Sequence, residues 1–116
     1  MNRKFRLTRS IDIKRVRRSG KSYAHPLVVL YAIKSDAPVT RIGVSAGLAV
    51  GNAVQRNRAK RLLRAAINGF IEMLNPGWTI LLIARSPLPA STINQVRAAL
   101  SKLLKRADLI SQAHDI

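Results

Sequence analysis

A single small α+β domain is what this sequence predicts, with helices packed on a mostly antiparallel sheet in the order α-β-β-α-β-α. Two segments carry apolar residues at helical spacing: Leu63, Ile67, Phe70, Ile71 and Leu74, then Ile93, Val96, Leu100, Leu103 and Leu104. Two others, Ser22 to Lys34 and Trp78 to Ala84, are short runs rich in β-branched and aromatic residues, as strands are. With 116 residues, 47% of them apolar, the chain suffices for one modest core.

Residues 1–9 hold Arg3, Lys4, Arg6 and Arg9 and read as a flexible basic arm before a domain at 10–107. Ser10 is placed to cap a first helix over 10–18, with Asp12 in its first turn and Gly20 as its stop. Ile13 and Val16, three apart, turn inward. Pro26 kinks or splits the strand that follows. After the turn Ser35 to Pro38, a second strand over Val39 to Ala46 is expected to pair with the first as an antiparallel hairpin. A long helix starts near Asn52 and runs to about Leu74, where Asn75, Pro76 and Gly77 stop it. Trp78 to Ala84 is apolar without alternation, so it is expected to be buried on both faces and to close a β-α-β connection. Ser91 or Thr92 caps the last helix. Residues 108–116 lack periodicity and read as a frayed, disordered tail.

Charge narrows the function. Lysine and arginine total 21 against five acids, a net charge of +16, and a compact chain under such self-repulsion gains from a polyanion. Cysteine is absent, which fits a reducing cytoplasm. The longest apolar runs, Leu27 to Ile33 and Thr79 to Ala84, are far too short to span a membrane. Catalysis on a phosphodiester needs clustered carboxylates for metal ions, or paired histidines. Asp12, Asp36, Glu72, Asp108 and Asp115 are scattered instead, and His25 and His114 stand apart, so no catalytic or metal-binding residue is assigned and His25 is read as structural.

The most concentrated charge lies in GNAVQRNRAKRLLR, Gly51 to Arg64. Arg56, Arg58, Lys60, Arg61 and Arg64 fall within nine positions, and no carboxylate occurs between Ala37 and Ile71. At about 100° per residue, Arg56, Lys60, Arg61 and Arg64 share a broad face. Cations four apart repel in a helix, and no glutamate relieves them here, so the face awaits an anionic partner. Among the five aromatic residues, Phe70 and Trp78 fit the core, and Tyr31 is the better candidate to meet an unpaired base.

That same run closely resembles the signature of the bacterial ribonuclease P protein family, whose typical core is an Arg-Asn-Arg triplet followed by basic helix positions. Phe5 to Asp12, Gly20 to Tyr31, Arg41 to Ser45 and Ile80 to Pro87 also agree, so the resemblance spans residues 3–107. It implies a left-handed β-α-β crossover, an exception to the usual hand. It implies as partners a catalytic RNA, which carries the Mg2+-dependent chemistry, and precursor tRNA, whose 5′ leader is removed; no membrane or obligate protein partner is implied. Carried over residue by residue, the RNA-binding set is Asn52, Arg56, Asn57, Arg58, Lys60, Arg61 and Arg64. A cleft between the first helix and the sheet takes the leader, along Arg9, Ile13, Arg17 and Tyr31. Two departures stand out. Ile13 and Arg17 replace the family's usual aromatic pair, and Leu48 and Ala49 replace a lysine pair before the signature glycine. A ribosomal RNA-binding protein or an RNA chaperone would share the charge and the fold.

Overall fold

A computed structural model describes residues 3–110, with helices α1 (Ser10–Ser19), α2 (Ala53–Asn68) and α3 (Ile93–Arg106) on one four-stranded sheet. Its strands are β1 (Lys21–Ala24), β2 (Val28–Lys34), β3 (Arg41–Ala46) and β4 (Trp78–Ala84), in spatial order β1-β2-β4-β3. Pro26 does split the first strand, and the halves fold back on each other as the antiparallel pair β1-β2.

The expected hairpin between the second and third strand segments is not formed. β4 inserts between them, antiparallel to β2 and parallel to β3, so β3-α2-β4 is the β-α-β connection. The physical reason lies in β4, an unbroken apolar run whose backbone N–H and C=O groups could not be left open to water at an edge without exposing it, and whose two edges are both paired in the central position. The loop 35–40 straddles the turn that feeds β4: the Ser35 N–H donates to Gly77 O at 2.8 Å, and the Thr40 hydroxyl donates to Asn75 O at 2.7 Å while accepting from the Trp78 N–H at 3.2 Å.

Strand alternation sends Val28, Leu30 and Ala32 of β2 and Ile80, Leu82 and Ala84 of β4 into the main core under α2 and α3. Their neighbours Tyr31, Ile33, Leu81 and Ile83 face the other way, where Leu7 and Val16 of α1's side complete a smaller core.

Element ends differ from expectation in four places. Ser10 is the first residue of α1 rather than its cap; Arg9 holds the cap position, and its Nε lies 4.0 Å from Asp12 Oδ2, an ion pair in place of a hydroxyl cap. α2 ends at Asn68, because glycine at 69 is a poor helix former, and a tighter turn at Ile71–Met73 keeps Phe70, Ile71 and Leu74 against the core. The basic arm is docked: the Leu7 N–H donates to Ile42 O at 2.8 Å and its side chain is buried. Leu109 and Ile110 are also buried, and Ile110 bridges to Leu74, so the packed chain runs past residue 107. The remainder of the expected tail, with His114 and Asp115, lies outside the described residues.

Candidate nucleic-acid interface

The start of α2 is built by residues on either side of it. Asn52 occupies the cap, its side-chain oxygen accepting from the Gln55 N–H at 3.0 Å while Gln55 Oε1 accepts from the Asn52 N–H at 3.0 Å. Gly51 before it has φ 140° and ψ −154°, a conformation that side chains other than hydrogen do not tolerate, and a Cβ there would collide with Gln55 Oε1. This turn sets the direction in which the basic helix leaves the sheet.

Along α2 the buried residues are Ala59, Leu63, Ala66 and Ile67, which fixes the core-facing side. Asn57, Lys60, Arg61 and Arg64 fall together about a third of a turn round from that stripe. With Val54 they line a shallow depression of about 430 Å³. Of the seven residues assigned to RNA from the sequence, these four are brought together. Arg56 flanks the core stripe and is half-buried, Asn52 serves as the cap, and Arg58 points away, its Nε donating to Pro89 O at 2.7 Å. Arg58 thereby fastens α2 to the turn that precedes α3.

Arg64 is the most constrained cation of the group. Its Nε is buried and has no hydrogen-bond partner among the described residues. Burial first, and then the charge of Arg6, pull its pKa below the ordinary arginine range. Arg6, carried on the arm docked beside β3, is thus near enough for its charge to act on Arg64, and neither is ion-paired among the described residues. A buried donor left unpaired and two uncompensated cations suit an incoming anion with several oxygens. Sequence reasoning missed Arg6 as part of this face. The signal was Leu7, an apolar residue inside a basic arm, which anchors the arm beside β3.

The residues assigned to a leader lie on the other face of the sheet. Ile13 and Tyr31 both pack, half-buried, against the cluster of Leu7, Val16 and Leu81. Arg17 is exposed one turn beyond Ile13, and Arg9 is exposed at the helix start beside Asp12. The depression of about 170 Å³ between α1 and the sheet is bordered by Asp12, Arg15, Ile33, Arg41 and Thr79 among others, and by none of these four. The exposed Leu48 stands where a cation was expected.

His25 sits in the β1-β2 turn, where its Nδ1 accepts from the Leu27 N–H at 3.1 Å. Among the described residues no three of His, Cys, Asp and Glu stand close enough to share a metal ion. No helix among them is long and apolar enough to cross a membrane.

A family model described as Ribonuclease P matches residues 1–108. The ribonuclease P protein component of Herpetosiphon aurantiacus is 36% identical over 109 residues, covering 94% of this chain and 89% of that protein. That of Clostridioides difficile is 34% identical over 109 residues, covering 93% and 96%. Among solved structures, the RNase P protein of Staphylococcus aureus superposes with a TM-score of 0.82 at 29% identity, over 92% of this chain and 98% of that one. The RNase P protein from Thermotoga maritima gives 0.77 at 28%, over 87% and 96%.

Proposed function

This chain belongs to the ribonuclease P protein family, and from that premise we propose that it is the RNA-binding subunit of a tRNA 5′-maturation ribonucleoprotein. It partners the catalytic RNA through α2 and the 5′ leader of precursor tRNA through the α1 face, and it works in the cytoplasm. The observation that carries this reading is the convergence of Asn57, Lys60, Arg61 and Arg64 on one face with no carboxylate among them. Such a face neutralises phosphates and releases their counterions, so binding is steeply salt-dependent. Lowering the repulsion between two RNAs lets substrate and catalytic RNA approach at physiological salt. Mg2+ belongs to the RNA in this reading, and no side chain of this protein takes part in bond breaking.

Cleavage of precursor tRNA should be measured with the RNA alone, the protein alone and both together. The expected result is no cleavage by the protein, and cleavage by the RNA at lower salt and Mg2+ when the protein is added. Leader removal by the protein alone, or an RNA indifferent to it, would sink the proposal.

A further inference from the structure

β1 is an edge strand, and its turn into β2 is held by two arginines from distant parts of the chain. From the last position of α3, Arg106 donates through Nη1 to Ala24 O at 3.0 Å. From the loop after β4, Arg85 donates through Nη1 to His25 O at 3.3 Å, and its backbone N–H donates to Leu27 O at 2.9 Å. Because His25 Nδ1 accepts from Leu27, the neutral imidazole carries its hydrogen on Nε2, at the far side of the ring. Lys102, one turn before Arg106, completes the group: burial first, then Lys102 and Arg106, disfavour a charge on His25.

Three permanent cations and an imidazole, from three separate segments, thus meet at one turn. Arg85, Lys102 and Arg106 are exposed, and none has a carboxylate partner among the described residues. Asp108, the acid nearest in sequence, lies past the end of α3 beside Trp78. A merely solvated face would interleave acids or let like charges spread apart. Here each guanidinium spends one of its five N–H donors on the turn, which fixes its position while leaving the others to present.

The cluster also lies apart from the α2 interface. α2 covers β3 and β4 whereas α3 covers β1 and β2, so the two basic groups look toward opposite edges of the sheet. Lipid headgroups would be a poor match, since a membrane surface calls for large apolar side chains beside the cations. The exposed large apolar residues among those described are Ile11, Leu48, Val54 and Met73, none of them on α3 or the β1-β2 hairpin.

We propose that His25, Arg85, Lys102 and Arg106 form a second phosphodiester-binding surface, by which the chain holds an RNA segment apart from the one on α2. This rests on the reading that its partner is RNA, and it adds an RNA contact at the β1 edge to those proposed above for the α2 and α1 faces.

The test uses the full chain carrying Lys60→Gln and Arg61→Gln, which silences the α2 face, and a single-stranded RNA tetranucleotide too short to reach both edges. In NMR titrations the His25 imidazole and α3 amide resonances should shift saturably. Adding Lys102→Gln should weaken that binding roughly fivefold and lower its salt slope by about one unit. Unmoved His25 resonances, or a Lys102→Gln chain that binds equally well, would overturn the proposal. So would tighter binding of inorganic phosphate or of phosphatidylglycerol vesicles than of the tetranucleotide. If the unsubstituted chain binds catalytic RNA while His25 stays silent, the second surface alone fails; if it binds no RNA at all, the function proposed above fails with it.

Discussion

Leu81 and Leu82 are adjacent on β4, of one residue type and each at most 1% exposed, yet they belong to different cores. Leu82 is one of twenty buried residues in the core with α2 and α3, whereas Leu81 shares its side of the sheet with Leu7 and Val16 as the other buried members. One face of the sheet is thus a thick, two-helix platform and the other a thin cover made by a single short helix and a docked arm. The difference assigns work to each. The thick face holds α2 at a fixed angle and so keeps its cations in register. The thin face has few contacts to lose, which is where local opening is least costly and where a flexible strand can be admitted.

The sharpest way to break this comparison is to truncate the two leucines. Leu82→Ala should cost about 3–5 kcal/mol and Leu81→Ala about 2–3 kcal/mol, because α1 can settle into the smaller gap; urea unfolding with equal losses would show that both faces are packed alike. Next in size is Gly51→Ala, which forces a side chain into a glycine-only conformation against Gln55 and should cost about 1–3 kcal/mol. If α2 is aimed by that turn, this variant also binds RNA more weakly than its stability loss explains. On the platform itself, Arg61→Ala and Arg64→Ala should each reduce the salt slope of catalytic-RNA binding by about one unit. Arg64→Ala should leave the urea midpoint unchanged or raised, since it removes an unpaired buried donor near Arg6. A lowered midpoint would make Arg64 a structural residue instead.

On the thin face, Tyr31→Ala should spare assembly and weaken precursor tRNA a few-fold relative to mature tRNA, a loss of about 1 kcal/mol as for one base contact. Equal weakening of both substrates would remove the leader from this face. The smallest effect concerns His25, whose pKa is held below the ordinary 6.5 by burial and then by Lys102 and Arg106. Above that value both folded and unfolded chains hold it neutral. As pH falls through it, the unfolded chain takes up a proton that the folded chain resists, so stability declines until the lower folded pKa is passed. Urea midpoints at pH 7.5 and 5.5 should therefore differ less in His25→Gln than in the unsubstituted chain.

Much of the fold was legible because local chemistry and final structure agree. Thr92 caps α3 by the expected side-chain bond, and Asn52, near which the long helix was expected to start, caps α2, each with a glutamine three residues on closing a capping box. Trp78 to Ala84 is covered on both faces, as its unbroken apolar run suggested, with Thr79 and Ile83 half-buried on the α1 side. The expected hairpin failed because pairing depends on which strand most needs two neighbours, and that need belongs to β4, some thirty residues downstream of β3. The basic face was legible in part: helical spacing grouped Arg56 with Lys60, Arg61 and Arg64, but the structure leaves Arg56 half-buried beside the core stripe and turns Arg58 to Pro89. Arg6 and the β1-edge cluster escaped notice since their members are brought together from positions as far apart as residues 24 and 106.

By itself the sequence determined the composition of this protein's surfaces: a cationic helix stretch without acids, and an apolar run of strand length that called for cover on both faces. These are properties of short windows, where spacing of a few residues translates directly into geometry. Only the tertiary structure decided which cations meet. Arg64 beside Arg6, and His25 among Arg85, Lys102 and Arg106, are juxtapositions of segments distant in sequence, set by the order of the strands and by which helix covers which half of the sheet.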